Sequence, residues 1–299
     1  MTRLIRTVAG GFLMGTADLV PGVSGGTIAL VLGIYERLVS SIREGSSALG
    51  SLLRADTTGF AAHLRRVEWL FLLPLLAGIL LAVGSLASFL DHQLEQNPTI
   101  LAAVFFGLVL GSVAIAWRLL RDPDATHLVV AAAVGVGLFL LLGLGEETLV
   151  RNPSSLAFFG AGALAICAMI LPGISGSLIL LLVGMYAAVL DAVDQRELSM
   201  IAIFVSGAVV GLGLFSQVLY WALRKHHDVI LAGLVGLMGG SLRVLWPWPD
   251  GVESTVLGAP ADDVFGVAVS AVVGFAAVFL VARLAEKEDE RISEPQPSG

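Results

Sequence analysis

Two short segments rich in proline, glycine and serine have the residue types of an anion-binding site. They read PGVSGG at 21–26 and PGISGS at 172–177, and each interrupts a long apolar run. Proline removes a backbone donor and glycine favours non-helical conformations, so each segment should break a helix. A helix that starts after such a break presents free N–H groups and the positive end of its dipole, which together bind phosphate or carboxylate. The two segments therefore predict a site for an anionic group.

The candidate binding residues follow the proline of each segment. Those expected to contact a phosphate are Ser24, Gly25, Gly26, Thr27, Ser175, Gly176 and Ser177. The breaks themselves are expected at Pro21, Gly22, Pro172 and Gly173, with the chain resuming as a helix over 27–35 and 178–186. A plainer alternative is that the kinks only shape a helix bundle. We favour the site because the breaks are duplicated, carry hydroxyl groups and precede helix starts.

Asp18 is the sole charged residue ahead of the break in either apolar run, three positions before Pro21. A carboxylate inside a membrane is costly and is by default a functional residue. One interpretation is that Asp18 takes up and releases a proton during a transport cycle. The other is that it accepts hydrogen bonds from N–H groups of the break and clamps the loop as a charged group. The sequence favours neither.

Three further charged residues lie near the ends of apolar runs. Glu36 and Arg37 follow Tyr35, where the first broken run returns, and Arg243 lies close to the end of a later run. Glu36 joins Asp18 as a candidate for proton coupling or gating, and Arg37 and Arg243 are candidates to contact an anionic headgroup. The plainer alternatives are a solvated helix end for Glu36 and Arg37, and an arginine that extends outward to the interface for Arg243.

The composition places these segments in a membrane. Of the 299 residues, 57% are hydrophobic and only 14% are charged, whereas a soluble domain carries about a quarter charged residues. Six uninterrupted runs have the roughly 18 to 25 apolar residues that a helix needs to cross the hydrocarbon core. They cover approximately 69–90, 99–117, 128–145, 199–223, 229–246 and 264–282. We therefore predict an all-α integral membrane protein.

The two broken runs, 8–40 and 156–190, are predicted to return to the side from which they enter. If each crossed once, making eight crossings, the 17 lysines and arginines would divide eight against nine. If each returns, six crossings remain and the same residues divide fourteen against three. Because basic residues concentrate on the cytoplasmic side, we expect two returning hairpins and both termini in the cytoplasm. A re-entrant hairpin and a pair of short spans satisfy this count equally.

The chain contains an internal duplication. A shift of 151 residues aligns 21–35 with 172–186 and gives eight identities in fifteen positions. Weaker matches follow at a shift near 129, such as Gly78 with Gly207 and Gly84 with Gly213. Each repeat would hold a hairpin and three spans, an odd number of crossings, so the second copy is inverted as in many secondary transporters. The expected units are 1–150, 151–285 and a disordered cytoplasmic tail over 286–299.

Several other classes of protein do not fit the sequence. A net charge of −7 without a basic cluster argues against a nucleic-acid partner. The single cysteine, Cys167, excludes a disulfide framework. The chain has no Walker-type phosphate loop, no H-E-x-x-H pair and no His-Asp-Ser set in its apolar runs, so we expect no catalytic residue, no metal, no cofactor and no enzyme activity. A homodimer is compatible with the sequence.

The paired motifs resemble a known family. GTADLVPGVSGGTIALVLGIYERL at 15–38, with ICAMILPGISGSLILLLVGMY at 166–186, is similar to the PopT-type polyprenyl-phosphate translocases, and the resemblance covers nearly the whole chain. It points to these residues: Asp18, Pro21, Gly22, Ser24, Gly25, Gly26, Thr27, Glu36, Pro172, Gly173, Ser175, Gly176 and Ser177. The repeat alignment places Met169 opposite Asp18, so any carboxylate role is confined to one repeat.

The resemblance implies a flippase in the cytoplasmic membrane. Its cargo would be a polyprenyl-phosphate carrier lipid such as undecaprenyl phosphate, returned across the membrane for reuse in envelope synthesis. A phosphate held between two helix starts, with the isoprenoid tail left in the bilayer, also suits a protein with little fixed charge. Two alternatives are a transporter or channel for a small soluble anion, and a scaffold that binds lipid-linked intermediates without transporting them.

Overall fold

The computed structural model describes residues 2–20, 22–144, 150, 153–248, 256–261 and 263–293. The regular secondary structure of this described part is helical and includes no strand, which confirms the predicted all-α membrane class. The helices are, in chain order, α1 (Thr2–Asp18), α2 (Gly25–Val31), α3 (Tyr35–Leu53), α4 (Thr57–Arg66), α5 (Trp69–Gln96), α6 (Pro98–Trp117), α7 (Ala125–Gly143), α8 (Ser155–Ile170), α9 (Gly176–Leu182), α10 (Tyr186–Asp194), α11 (Leu198–Lys225), α12 (His227–Ser241) and α13 (Val264–Ser293).

Six of these helices are long and apolar enough to cross a membrane. They are α5, α6, α7, α11, α12 continued by a 3-10 turn to Leu245, and α13 as far as Ala285. All six coincide with the predicted runs, and the structure extends the first and fourth of them by several residues. Helices of 19 to 28 residues are about 28 to 42 Å long at 1.5 Å per residue, enough for the roughly 30 Å hydrocarbon core.

Local sequence sets where several of these helices begin. Pro98 occupies the first turn of α6, where a missing N–H costs nothing. Asp124 caps α7 by accepting a hydrogen bond from the N–H of His127 at 3.1 Å, and that bond lowers the pKa of Asp124. Ser154 caps α8 in the same way through the N–H of Ala157. The helix that enters the second break is therefore fixed at its start by its own side chain.

Each broken run contains two interruptions, and the sequence predicted only the first. The helices predicted over 27–35 and 178–186 end early, at Val31 and Leu182. Gly33 and Gly184 follow with φ of 68° and 70°, a conformation that glycine adopts without steric cost. Each glycine N–H bonds three residues back and the next N–H bonds five residues back, the Schellman pattern that terminates a helix.

The short helices run back alongside the helices that precede them. Gly25 at the start of α2 hydrogen-bonds Asp18 at the end of α1, so the chain reverses within seven residues. Near the other end of α2, a Cβ on Gly10 would lie 3.3 Å from Leu32 Cδ1. The second hairpin then turns sharply again, because α9 and α10 meet at 113°. Each broken run is thus a helix, a short returning helix and a third helix.

The two repeats place equivalent glycines in equivalent contacts. A Cβ on Gly78 of α5 would collide with the carbonyl of Val8 in α1, and one on Gly207 of α11 would collide with the carbonyl of Phe159 in α8. These four residues match under the shifts of 129 and 151. Such close backbone approach is possible only without a side chain, as at small-residue helix interfaces in membranes. The weak glycine matches thus correspond to a shared packing arrangement.

The centre of the bundle is formed by pairs of packed helices in which each member comes from a different repeat. α6 packs against α13, and α7 packs against α12, so the third span of each repeat contacts the second span of the other. Glycines permit both contacts, since a Cβ on Gly107 would meet the backbone of Ala271 and one on Gly236 would meet that of Ala131. α6 and α12 also contact one another directly. The two broken hairpins lie against this central group.

The end of the chain differs from the prediction of a disordered tail over 286–299. α13 continues to Ser293, so residues 286–293 are helical, and 294–299 lie outside the described residues. The sequence EKEDER places opposite charges three residues apart, at Lys287 and Glu290 and at Glu288 and Arg291. Glutamate, lysine and arginine are good helix formers, so the last span extends past the apolar region as a charged helix.

Candidate functional site

The two broken motifs contact one another directly across 146 residues of sequence. Thr27 Oγ1 accepts a hydrogen bond from the N–H of Gly173 at 2.9 Å. Ser24 Oγ donates toward the carbonyl oxygens of Leu171 at 3.3 Å and Met169 at 3.5 Å. The side chains of Ser24 and Thr27 are 2% and 0% exposed. The structure therefore brings Ser24 and Thr27 against the second break, with the hydroxyls of the first motif bonded to its backbone.

The N–H groups at the start of α2 are already occupied by the chain itself. The N–H of Gly25 donates to Asp18 Oδ1 at 2.6 Å, and that of Gly26 donates to Ser24 Oγ at 3.1 Å. The N–H of Thr27 donates to the carbonyl of Ser24 at 2.9 Å. The first motif is therefore closed in this conformation, because its donors have partners within the same hairpin.

The carboxyl group of Asp18 lies at the start of α2, where its Oδ1 accepts the N–H of Gly25. Its carboxylate fits because Gly25 has no side chain: a Cβ there would lie 2.5 Å from Asp18 Oδ2. This hydrogen bond is a contact that the clamp interpretation of Asp18 requires, and the role of Asp18 as a charged clamp stays a prediction. Its side chain also stays exposed, so the carboxyl group can reach the surroundings of the chain. A proton-carrying role for Asp18 stays a prediction.

The second motif has the same shape without the internal anion. Met169 takes the place of Asp18, and its Cγ would lie 2.9 Å from a Cβ on Gly176. Ser175 Oγ accepts the N–H of Leu178 at 3.1 Å and lies 3.0 Å from Ser177 Oγ. Within the described part of the chain, the N–H groups of Gly176 and Ser177 have no hydrogen-bond acceptor. The uncharged, flexible side chain of Met169 thus covers the two free N–H groups and the half-buried hydroxyl of Ser177.

Both breaks rest on the central span α12 and the turn that follows it. Gly22 and Gly173 have φ of 82° and 85°, so both need glycine. A Cβ on Gly22 would lie 2.9 Å from Val244 Cγ2, and one on Gly173 would lie 2.6 Å from the Cα of Met238. Any movement of either hairpin must therefore slide its break along α12 or the turn that follows it. Pro21, predicted as part of the first break, lies outside the described residues.

Glu36 belongs to a polar bridge between the repeats. His227 Nε2 lies 2.9 Å from Glu36 Oε1, and His227 Nδ1 lies 2.6 Å from Asp228 Oδ1. Asp228 Oδ2 in turn accepts the backbone N–H groups of Arg121 and Asp122. The bridge ties the start of α3 to the start of α12. Sequence reasoning treated His227 as part of a polar loop, and no spacing in the sequence links it to Glu36.

The two arginines predicted to contact a headgroup have other neighbours. Arg37 Nε donates to Glu68 Oε2 at 2.7 Å, and its guanidinium lies 4.1 Å from the centre of the Phe71 ring. Arg243 lies over the Phe139 ring at 4.8 Å. It is also beside Gly143, the last residue of α7, where a positive charge faces the negative end of the helix dipole. These contacts are with spans rather than with the motifs.

Comparison with known proteins gives concordant matches. The chain matches the family described as VCA0040-like, undecaprenyl phosphate translocase-like, over residues 14–259. A polyprenyl-phosphate transporter of Vibrio cholerae serotype O1 is 42% identical over 252 residues, which are 82% of this chain and 79% of that protein. A polyprenyl-phosphate transporter of Staphylococcus aureus is 29% identical over 253 residues, 79% of this chain and 84% of that protein. No solved structure matches the chain.

Proposed function

Because the chain belongs to the family of undecaprenyl phosphate translocase-like proteins, we propose that it moves a polyprenyl-phosphate carrier lipid across the membrane. The curated relatives are named polyprenyl-phosphate transporters, and the six spans with two broken hairpins are the architecture of a carrier. The observation that supports a phosphate cargo is the second motif. There, two free N–H groups and a hydroxyl border the place that an internal carboxylate fills in the first motif and that Met169 fills in the second.

The phosphate binds first at the start of α9 in this proposal. Asp18 marks the position, since its Oδ1 lies 2.6 Å from the N–H of Gly25 and Gly176 is the equivalent of Gly25. A phosphate oxygen at the same place would accept from the N–H groups of Gly176 and Ser177, once the unbranched side chain of Met169 moves aside. Ser175 and Ser177 complete the site with hydroxyls. Hydrogen bonds to a charged acceptor are stronger than neutral ones, so the site needs no lysine or arginine.

The first motif takes part when the hairpins separate. Ser24 and Thr27 are bonded to the backbone of the second motif, so their hydroxyls reach a phosphate only after those bonds break. We place this exchange in the transport cycle: the phosphate replaces one set of hydrogen bonds by another as the site opens to the opposite side. Gly25 and Gly26 then let the headgroup approach the backbone of α2. Alternating access of this kind is the usual mechanism of inverted-repeat carriers.

Asp18 and Glu36 are the candidates that couple protons or gate this cycle. Protonation of Asp18 would weaken its hydrogen bond to Gly25, because the carboxylate is the better acceptor, and would free the start of α2 for the phosphate. Glu36 acts at the other end of the hairpin through His227. Arg37 and Arg243 support the hairpin and the turn through Glu68, Phe71 and Phe139 instead of contacting the headgroup first.

The orientation of the protein follows from its basic residues. We place both termini in the cytoplasm and the chain in the inner membrane, because fourteen of the 17 lysines and arginines fall on the side of the termini when both hairpins return. The first hairpin then enters from the cytoplasm and the second from outside. A homodimer is compatible with this arrangement but is not required by it, since one chain contains both motifs.

A reconstituted system tests the function. Vesicles containing the purified protein receive labelled undecaprenyl phosphate, and a phosphatase added outside removes phosphate only from the outer leaflet. With the wild type the whole lipid pool should be hydrolysed, and without protein only the outer half. Binding without flux would show a scaffold, and flux of inorganic phosphate in place of lipid would show a transporter of small anions. Either result would contradict the proposal.

The same assay tests the site through Ser177→Ala. The Ser177→Ala protein should transport less lipid, because the Ser177 hydroxyl is half-buried and faces the proposed phosphate position. Ser206→Ala is the matched control, since Ser206 is exposed on α11 and bonds only the carbonyl of Ile203 in its own helix. Equal loss of flux in both variants, or no loss in Ser177→Ala combined with Ser175→Ala, would exclude the start of α9 as the phosphate site.

A further inference from the structure

An apolar pocket of about 210 Å³ opens beside the second motif. It lies between α8, α9, α10 and α11, and its lining includes Ile166, Met169, Ser177, Leu180, Phe204 and Ala208. Gly176 and Ser177 therefore border both this pocket and the phosphate position. Any ligand whose charged group sits at the start of α9 has its next atoms at the mouth of the pocket.

Beside this pocket, the two repeats differ at a position on the helix that enters the break. Gly11 and Gly162 are equivalent, and at both the neighbouring span touches the helix backbone. One turn later the repeats differ. Gly15 keeps α1 close to α5, where a Cβ would lie 2.7 Å from the Ile79 carbonyl. Its equivalent is Ile166, whose side chain lines the pocket facing Ala208. Ile166 therefore supplies a side chain to the pocket wall where the first repeat has only the hydrogen of Gly15.

We propose that this pocket holds the first isoprene units of the lipid tail while the phosphate is bound at Gly176 and Ser177, an inference that rests on the proposed function. At about 30 Å³ of volume per water-sized group, 210 Å³ accommodates about seven carbons, which is between one and two isoprene units. The rest of the tail continues into the bilayer past Met169 and Leu190, which are exposed.

The pocket selects the cargo by what it excludes. Hydrocarbon is as apolar as the pocket, so burying a tail there adds little affinity over leaving it in lipid. A polyprenyl phosphate has pure hydrocarbon directly after its phosphate ester, which matches the apolar walls. An ordinary phospholipid has glycerol and two ester carbonyls at this place, and these polar groups would lose their hydrogen bonds to water. The pocket therefore rejects the abundant phospholipids that surround a rare carrier lipid.

Photolabelling of the wild-type protein tests the occupant. Farnesyl phosphate carrying a diazirine on its first isoprene unit is added to vesicles containing the protein, and labelled peptides are mapped by mass spectrometry. Label should fall on α8, α9 and α11 around Ile166, Leu180 and Ala208. Undecaprenyl phosphate should abolish it, and phosphatidic acid should compete at least tenfold more weakly. Label confined to other helices, or equal competition by phosphatidic acid, would overturn the proposal.

A variant that fills the pocket gives a second, functional readout. Ala208→Phe should reduce both labelling and undecaprenyl phosphate flux at least tenfold. Ala208→Leu fills less of the pocket and should reduce both less severely, so it serves as the test if Ala208→Phe unfolds the protein. Val205→Phe is the control, because Val205 is on the same helix, 51% exposed, and outside the pocket. Full flux and full label in both Ala208 variants would exclude the pocket. Wild-type protein that takes the label but moves no lipid would instead contradict the proposed function.

Discussion

The N–H of Gly173 donates a 2.9 Å hydrogen bond to Thr27 Oγ1, and both residues are buried. This bond joins the broken hairpin of one repeat to the broken hairpin of the other. A glycine N–H in a break has no helical partner, so a side chain from the other hairpin must satisfy it. The two hairpins therefore depend on each other for their local structure.

Replacing Thr27 by valine should destabilise the protein and alter transport. Valine has nearly the same shape but cannot accept the Gly173 N–H, and a buried unsatisfied donor costs about 1 to 3 kcal/mol. Thermal unfolding in detergent should show the loss, and Thr27→Ser should retain most of the stability because it keeps the hydroxyl. If Thr27→Val unfolds at the same temperature as the wild type, the bond between the hairpins does not contribute to stability.

Met169→Asp should make the second motif resemble the first and block transport. The new carboxylate would accept the N–H of Gly176 as Asp18 accepts that of Gly25, and each cycle would have to break a hydrogen bond to a charged group worth about 1.5 to 3 kcal/mol. That energy corresponds to a loss of flux of about tenfold or more. Met169→Leu, which adds no charge, should transport normally. A fully active Met169→Asp protein would show that the phosphate binds elsewhere.

Asp18→Asn separates the two roles of this residue. The amide oxygen can still accept the N–H of Gly25, so the loop should keep its conformation while the titratable group is lost. If Asp18 carries a proton, flux in vesicles should stop responding to a pH gradient, whereas Asp91→Asn, at an exposed position of α5, should leave the response intact. A variant that still follows the gradient would reduce Asp18 to a structural clamp.

The bridge between Glu36 and His227 should tune transport more than stability. Glu36 is 59% exposed at its side chain and His227 is 16% exposed, and pairs with an exposed member are worth about 0.2 to 1 kcal/mol. His227→Ala should therefore change flux by at most about fivefold, and Glu36→Gln should add little further effect in a double-mutant cycle. His226→Ala is the control on the neighbouring residue. Additive effects of the two substitutions would show that the contact plays no part in gating.

Gly33→Ala tests the second break of the first hairpin by itself. No atom lies within 4 Å of the Cβ position of Gly33, so only its φ of 68° resists the substitution, at about 1 to 2 kcal/mol. Gly45 also has an open Cβ position but lies within α3, where alanine should stabilise by about 1 kcal/mol. Opposite shifts in unfolding temperature are expected, and a shared direction would contradict the assigned backbone conformation.

The sequence predicted the spans and the first breaks because both depend on local chemistry. Twenty apolar residues in a row, or a proline followed by glycine, specify their backbone with little help from the rest of the chain. The sequence also contains the residues that end α2 and α9 early, Gly33 and Gly184, which match in the repeat alignment. The apolar residues on both sides of these glycines concealed the helix ends, since hydropathy does not change across them.

The contacts between side chains could not be predicted in this way. Ser24 and Thr27 have the residue types of a phosphate site, and nothing local shows that their hydroxyls bind a backbone about 146 residues away. A hydrogen bond from the break to Asp18 was one of two interpretations of the sequence, but its partner, Gly25, follows from the reversal of the chain at the break. His227 and Glu36 are 191 residues apart. Each of these contacts depends on how the repeats pack, which periodicity does not report.

The carboxylate of Asp18 has a consequence for the energetics of the empty carrier. In a carrier built from two identical inverted halves, the states facing the two sides of the membrane would be equal in energy by symmetry. Here one half carries an internal carboxyl group and the other carries methionine, so that equality is lost. We expect the unloaded protein to rest mainly with one face open, and this resting bias sets which leaflet the carrier samples first for its next lipid.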